Sequence, residues 1–171
     1  VYRHVHHLMD ARIFGIGFYN DEANEVEFPF AMDEGVRSEF YSRPLSDPRQ
    51  FAVWCQHNRR EVFINDYESE YDNYLDGPQN RPLTPVLRVD GTPRSRAVSM
   101  MYVPLIVKDR MMGVLCVQSV EKNAYRRVHL DMLQTLAAHA AVALDNARAY
   151  RELEAAQVRL LEQEKQVRQA K

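Results

Sequence analysis

Residues 98–147 read VSMMYVPLIVKDRMMGVLCVQSVEKNAYRRVHLDMLQTLAAHAAVALDNA, and this stretch decides the fold. It opens with two apolar runs, 98–107 and 112–121, which predict two antiparallel strands joined as a hairpin. Apolar side chains fill both alternating positions of the first run, so we expect a central strand that is covered on both faces. From Tyr125 to Lys171 there is neither Gly nor Pro, and strong helix formers dominate. The second half of the sequence therefore predicts a hairpin followed by one long helix.

A second hairpin is predicted upstream by two strand-like runs. Residues 11–20 are dense in β-branched and aromatic residues, and Gly15 and Gly17 fall on one face where a neighbouring group can approach closely. Residues 25–32 alternate between two faces, and Pro29 favours a place at a sheet edge. The alternation is expected to put four apolar side chains on one face: Val26, Phe28, Phe30 and Met32.

A short helix and a short strand follow the first hairpin. Residues 49–59 read as a helix, with Asp47 as its N-cap and Pro48 at its first position. Residues 61–64 place three apolar residues after Glu61, which is typical of a short strand.

The segment before the second hairpin combines an aromatic helix with an irregular connection. A helix is expected to start near Asn65 or Asp66 and to place three tyrosines on one face. These are Tyr67, Tyr71 and Tyr74. From 76 to 96 Pro and Gly interrupt the chain, and an ordered connection of this length is often functional.

Composition excludes several classes of protein. The formal charge of -2 and the pI near 6.3 give no general attraction to nucleic acid or to membrane surfaces. No run approaches the roughly 18 apolar residues of a membrane helix, and no secretory signal opens the chain. Cys55 and Cys116 lie in apolar stretches without a CxxC motif, which is typical of buried thiols in a reducing compartment. We expect a cytoplasmic protein without a nucleic-acid partner and without direct membrane insertion.

Around the second hairpin the sequence resembles the GAF domain family. The resemblance rests on Pro104-Leu105, on Gly113-Val114-Leu115, on Tyr125, and on the leucines and small residues between His129 and Ala147. It is strongest over residues 101–150. It implies an α+β fold: a central antiparallel sheet of five or six strands, helices on one face, a loop-covered pocket on the other, and a long C-terminal helix.

The sequence departs from the better-known chemistries of that family. In the cyclic-nucleotide binders an Asn-Lys pair precedes a Phe and an acidic pair, whereas here Lys122-Asn123 is reversed and His129-Leu130 replaces the acids. Bilin-binding members attach the chromophore through a Cys often followed by His, and Cys55 is followed by Gln56. Neither chemistry is expected, and the identity of any cofactor stays open.

A ligand pocket is predicted on the sheet face opposite the terminal helices. An apolar central strand, the long connection and the tyrosine-bearing helix would supply apolar walls with a few polar groups, as ligand pockets require. The candidate ligand-binding residues are Asp66, Tyr67, Tyr71, Tyr74, Arg94, Arg96, Met100 and Tyr102.

Other charged clusters have simpler interpretations. His4, His6 and His7 lack a second group of ligands, so no metal site is predicted. Arg88, near the predicted pocket mouth with Arg94 and Arg96, is expected to pair with carboxylates, with anion binding as the alternative. No catalytic motif is present, so we expect no enzymatic activity in this fragment.

The two ends of the chain suggest a module of a longer protein. Residues 1–149 are expected to form the sensor domain, beginning with a truncated helix, and residues 150–171 to form a signalling helix that leads to an output domain. Apolar residues in this helix follow steps of three and four, as in a parallel coiled-coil homodimer. The predicted seam consists of Tyr150, Leu153, Gln157, Leu160, Glu164 and Val167.

The leading functional hypothesis is a regulatory domain of a bacterial signal-transduction protein. Such a domain senses a small molecule or mediates dimerisation, and relays a conformational signal through its C-terminal helix. The family resemblance implies an output such as a sensor histidine kinase of a two-component system, or a diguanylate cyclase. Two alternatives stay open: a dimerisation module without a ligand, and a small redox enzyme of the same fold.

Overall fold

The computed structural model describes residues 1–76 and 87–170. Its helices are α1 (Tyr2–Leu8), α2 (Phe51–Asn58), α3 (Tyr67–Glu70) and α4 (Arg127–Gln169), with a 3-10 turn at Tyr71–Asn73. Its strands are β1 (Ile13–Asn20), β2 (Glu25–Asp33), β3 (Val36–Arg37), β4 (Tyr41–Pro44), β5 (Val62–Ile64), β6 (Ser99–Val107) and β7 (Arg110–Ser119).

Within the described residues these strands form one antiparallel sheet in the order β3-β2-β1-β7-β6-β5, and β4 pairs with β2 beside β3. The α+β architecture predicted from the sequence is confirmed, including the long C-terminal helix. The sheet has seven strands in the described part of the chain, because the outer edge of β2 pairs with two short strands instead of one.

The hairpin of β6 and β7 is the centre of the sheet. Lys108 and Asp109 form its two-residue turn with φ of 50° and 60°, the backbone geometry of a type I′ turn, whose twist matches the flanking strands. β6 pairs with β5 on one side and β7 on the other. The prediction that this strand is central is confirmed.

The face assignment predicted for β2 is wrong beyond Phe28. Val26 and Phe28 pack on the α2 side of the sheet, whereas Phe30 and Met32 pack on the side of α1 and α4. The cause is a bulge, since two residues of β2 lie opposite Gly17 of β1. One extra residue reverses the facing of every side chain that follows it.

The same bulge explains why Pro29 does not mark a sheet edge. β2 is paired on both sides, with β1 along its length and with β4 and β3 near its two ends. Pro29 lies at the bulge and in the gap between β4 and β3, where a missing N–H removes no ladder hydrogen bond. The edge prediction is therefore corrected.

Three glycines allow the strands to approach closely. A Cβ on Gly113 would overlap the carbonyl oxygen of Gly17, so a side chain cannot be accommodated without separating β1 from β7. A Cβ on Gly17 would come within 2.8 Å of the Phe28 ring, and one on Gly15 within 3.1 Å of Cys116 Sγ. The expected close approach at Gly15 and Gly17 is confirmed, and Phe28 is the side chain that lies across them.

Two helix boundaries differ from the prediction. α2 begins two residues later than expected, with Gln50 at the N-cap, because Asp47 instead accepts hydrogen bonds from the backbone and the side chain of Arg49. The helix expected from Asp66 is a single turn, α3, followed by the 3-10 turn at Tyr71–Asn73.

α1 and α4 cover one face of the sheet, and α2 and α3 cover the other. The first part of α4 packs on the sheet through Leu130, Leu133 and three buried alanines, whereas residues 146–170 are exposed apart from the half-buried Ala156. No helix in the described parts of the chain combines the length and apolarity needed to cross a bilayer.

Candidate functional site

Asp33 organises the sheet face opposite α1 and α4. Its side chain at the end of β2 is fully buried. One carboxylate oxygen accepts a hydrogen bond from Arg88 Nη2 at 3.2 Å, and the other accepts one from the Ser95 backbone N–H at 2.7 Å. Arg94 Nε lies 3.6 Å from that second oxygen. One carboxylate thus faces two guanidinium groups, which leaves one excess positive charge in the cluster.

Arg94 carries that charge into an aromatic environment. Its Nη1 donates a hydrogen bond to Tyr41 Oη at 3.2 Å, and its guanidinium carbon lies 5.6 Å from the Tyr41 ring centroid. Tyr41 in turn stacks on Phe28, with ring centroids 4.8 Å apart. Burial raises the pKa of Tyr41 and the neighbouring Arg94 opposes that rise. The phenol is therefore a neutral hydrogen-bonding group beside a mostly buried cation.

A second polar group lies on β6 and β7. Gln118 Nε2 donates to Tyr102 Oη at 3.0 Å and lies 3.8 Å from Cys116 Sγ. Tyr102 and Cys116 are cross-strand partners, and Gln118 follows on the same face of β7. Burial holds the pKa of Tyr102 well above its usual range, and Arg94 acts in the opposite direction. The two polar groups are thus close enough to interact electrostatically.

Aromatic rings from α2 and α3 surround these polar groups. The ring of Phe51 lies 5.7 Å from that of Tyr102 and 6.1 Å, edge-on, from that of Tyr67. Tyr67 stacks on Tyr71 at 5.6 Å. The arrangement combines an apolar, aromatic wall with a few converging polar groups, which is the composition of a small-molecule site.

The structure brings six of the eight predicted site residues together on this face. Arg94 and Tyr102 belong to the polar groups, and Met100 is buried beside them on β6. The three tyrosines pack against the same cluster: Tyr67, Tyr71 and Tyr74.

Asp66 and Arg96 lie away from the polar groups. The Asp66 carboxylate forms an ion pair with Lys122 at 3.2 Å, and this lysine lowers the pKa of Asp66. Arg96 lies 3.8 Å from Glu68, and both side chains are 81% exposed. Both predicted residues therefore make surface ion pairs. Residues 77–86 of the irregular connection at 76–96 lie outside the described residues.

Sequence reasoning missed three residues of this face: Asp33, Tyr41 and Gln118. Asp33 is followed by Glu34 and Gly35, and nothing in this local sequence indicates a buried carboxylate. Only its burial at the end of β2 shows that it is a partner for two arginines. The expectation that Arg88 and Arg94 pair with carboxylates is confirmed. No signal in the sequence indicates that the two share one carboxylate.

Both cysteines are free and buried, as predicted. Burial raises the pKa of the Cys116 thiol to about 11, and burial likewise raises that of Cys55. Their chemical inertness stays a prediction. Among residues 1–76 and 87–170, no group of three His, Cys, Asp or Glu side chains is placed to hold a metal ion.

Two hollows lie where α4 meets the rest of the domain. One, of about 550 Å³, lies where α4 leaves the domain and is lined by residues that include Arg110, Arg148 and Glu27. The other, of about 170 Å³, is apolar and lies between the sheet and α4, against Leu115 and Ala140. Neither combines buried polar groups with an enclosing aromatic wall.

A family profile described as GAF domain matches residues 1–145. Comparison with curated proteins gave no match. Among solved structures, the chain is similar to the GAF-B domain of DevS from Mycobacterium smegmatis, at 19% identity and a TM-score of 0.61, over 89% of this chain and 93% of that one.

Two other solved structures show the same fold. A methyl-accepting chemotaxis protein fragment is 18% identical, with a TM-score of 0.61, over 85% of this chain and 84% of that one. The type II free methionine-R-sulfoxide reductase of Thermoplasma acidophilum is 14% identical, with a TM-score of 0.60, over 82% of this chain and 84% of that one. At such identities the likeness establishes the fold alone.

Proposed function

This chain belongs to the GAF domain family, and we propose that it is a regulatory domain that binds a small organic anion and signals through α4. The observation that carries the proposal is the pair of polar groups around Arg94 and Tyr102, held inside an aromatic wall. A few converging polar groups within an apolar wall are the features by which a pocket orients a small-molecule ligand.

The charge of the face suggests the chemistry of the ligand. Arg88 and Arg94 together exceed the single negative charge of Asp33 by one, and Arg94 is 19% exposed. A carboxylate is the group that a guanidinium binds in two parallel hydrogen bonds. The stacked rings of Phe28 and Tyr41 favour a flat apolar body next to it. We therefore propose an aromatic or otherwise planar carboxylate.

β6 supplies a route from this face to α4. Met100 and Tyr102 point towards the aromatic wall, whereas Met101, Val103 and Leu105 pack in the cluster beneath α4. Successive side chains of one strand thus contact the proposed ligand face and the helix. A ligand that displaces β6 therefore also changes how α4 packs on the sheet, because the same strand contacts both.

The projecting part of α4 supports a proposal about assembly. Leu153, Leu160 and Val167 are all more than half exposed. Apolar side chains at this spacing favour pairing with another helix. We propose a homodimer through the terminal helices, in a cytoplasmic signalling protein whose output domain is a histidine kinase or a diguanylate cyclase.

The redox-enzyme alternative is disfavoured by the thiols. A nucleophilic cysteine must be a thiolate, and burial raises the pKa of both Cys55 and Cys116. The likeness to the Thermoplasma reductase concerns the fold and carries no activity to this chain. The dimerisation module without a ligand remains the competing hypothesis, and it predicts that this face binds nothing.

The proposal is tested by a binding screen on two variants. Thermal unfolding is measured with benzoate, salicylate and indole-3-acetate, and hits are confirmed by calorimetry on the wild type, on Arg94→Met and on the matched surface control Arg96→Met. Binding that Arg94→Met abolishes and Arg96→Met retains supports the proposal. Absence of binding by all three compounds, with no small molecule released from the purified protein on denaturation, favours the dimerisation module.

A further inference from the structure

α4 has a second apolar face on the side away from the sheet. The sheet-facing side is formed by Leu130, Leu133, Ala137, Ala140 and Ala141, all buried. On the opposite side two columns of residues each recur every seven positions. The first column is Met132, His139, Asn146, Leu153, Leu160 and Val167. The second column is Val128, Thr135, Val142, Ala149, Ala156 and Gln163.

These two columns, here called the heptad face, are exposed along the helix apart from the half-buried Ala156. Met132 is 37% exposed and Val142 is 50% exposed although both belong to the part of α4 that packs on the sheet. Leu153 and Leu160 continue the face at 56% and 60%. A repeat of seven sustained over 40 residues is the pattern by which two helices keep one seam in contact while supercoiling.

We infer that the heptad face is the contact with a second copy of this chain, parallel and in register, from Val128 to Val167. The inference rests on the homodimer proposed above and defines its interface. It places the seam along the domain itself as well as along the projecting helix.

Burial decides between two possible flanks of the seam. The column of Leu153 and Leu160 has a neighbouring column on each side. One neighbour contains Tyr150 and Gln157, and the other contains Ala149 and Ala156. The column that contains Tyr150 also contains Leu136, in the part of α4 that packs on the sheet. The Leu136 side chain packs against the hydrophobic core beneath the helix. That column cannot face a partner along the domain. The column of Ala149 and Ala156 passes through Val142 and Thr135, which are exposed.

Charge complementarity favours a second copy in parallel orientation. Arg159 precedes Leu160 on one flank of the heptad face, and Glu164 follows Gln163 on the other flank. In a parallel, in-register pair the Arg159 side chain of each copy faces the partner's Glu164, which gives two interhelical ion pairs. Asp145 and Glu152 on the same flank as Arg159 would face Tyr150 and Gln157, so no like charges meet.

Two polar residues in the first column favour one register of the two paired helices. Asn146 meets the partner's Asn146 in this alignment, where each amide both donates and accepts a hydrogen bond. A single Asn at such a position fixes the register of parallel coiled coils at a cost in stability. His139 forms a second polar pair one heptad earlier. With Ala149 and Ala156 adding little apolar area, the seam is expected to be specific but weak.

Cysteine cross-linking tests the alignment. Single substitutions Ala149→Cys, Ala156→Cys, Tyr150→Cys and Gln157→Cys are oxidised under mild conditions, and disulfide-linked dimer is followed with time. Val158→Cys, on the opposite side of the helix, is the outward-facing control. The wild type is the second control, because Cys55 and Cys116 are buried. We expect Ala149→Cys and Ala156→Cys to cross-link about tenfold faster than the others, since disulfides form only between closely apposed positions.

Sedimentation distinguishes the homodimer itself from the interface assigned to it. A dimer that cross-links fastest through Tyr150→Cys and Gln157→Cys overturns the heptad face and leaves the homodimer standing. A monomer at micromolar concentration overturns both. A dimer in which Met132→Glu with Val142→Glu weakens association about tenfold, while Val158→Glu does not, supports a seam that runs along the domain. Unchanged association of that double variant overturns the part of the seam on the domain.

Discussion

The two faces of the sheet are built by different chemistry. The face beneath α1 and α4 is closed by aliphatic side chains, small residues and a few aromatic rings such as Phe14, and the buried Tyr125 hydroxyl donates to the Asp10 carbonyl at 2.6 Å. The face beneath α2 and α3 is lined by aromatic rings and carries a buried carboxylate with two arginines. The first face anchors a helix, whereas the second holds polar groups whose burial has to be compensated.

In this sheet, stability and recognition are assigned to different faces. An apolar face is stabilised by area and packing density alone, so its residues can be exchanged for others of similar volume. The stability of a face with charged and phenolic groups depends on the presence of each hydrogen-bond and ion-pair partner. β6 contributes to both faces, and it is therefore the strand through which a change on one face reaches the other.

Removal of Asp33 is expected to have the largest effect. In Asp33→Ala the guanidinium groups of Arg88 and Arg94 lose their buried counter-charge, which costs about 3–5 kcal/mol of unfolding free energy. Urea unfolding measures this loss of unfolding free energy. The matched control is Glu68→Ala, which removes the exposed partner of Arg96 and should change stability by less than about 0.5 kcal/mol. Equal small effects of the two variants would show that the Asp33 cluster is not a buried charge network.

Truncation on the helix face is expected to cost slightly less and to leave recognition intact. Leu133→Ala removes a fully buried side chain under α4 and should lower the unfolding free energy by about 3 kcal/mol. Affinity for the carboxylate probes, measured by calorimetry, should stay within about twofold of the wild type. A large loss of affinity in this variant would mean that the two faces are not separable.

Alkaline pH should destabilise the fold through the buried thiols. Burial raises the folded-state pKa of Cys116 to about 11, above the value near 9 expected for an unfolded chain. The unfolded state therefore loses its proton first, so stability is fully present below pH 9 and falls as pH rises towards 11. The expected slope is about 1.4 kcal/mol per pH unit for each such thiol. Urea midpoints measured between pH 8 and 10 should fall less steeply in Cys116→Ala, and identical slopes would contradict the assignment.

The smallest stability change is expected at Tyr102. Tyr102→Phe removes the acceptor for Gln118 Nε2 and should lower the unfolding free energy by about 1 kcal/mol. Its effect on ligand binding should be larger than its effect on folding, since the hydroxyl lies among the polar groups of the proposed site. Tyr19→Phe is the comparison, because the Tyr19 hydroxyl donates to the Ala52 carbonyl at 2.7 Å. Equal losses of affinity in both variants would argue against a specific role for Tyr102.

The sequence predicted the sheet centre well because its signals are local. The β6–β7 hairpin, Gly113 and the long helix each follow from residues adjacent in the chain. The reversal of facing in β2 did not follow, because a bulge depends on the pairing partner and leaves the alternation of residues unchanged. Most of the candidate face was predicted from its aromatic and arginine content. Asp33 was missed because burial of a carboxylate is decided by tertiary packing.

Amide hydrogen exchange shows whether ligand binding on the aromatic face changes α4 through β6. Exchange is measured with and without the tightest-binding carboxylate probe, on the wild type and on Arg94→Met. We predict that the probe slows exchange in Ser99–Val107 and in the sheet-packed part of α4 in the wild type only. Protection confined to β2, β4 and residues 88–96, with β6 and α4 unchanged, would contradict the account.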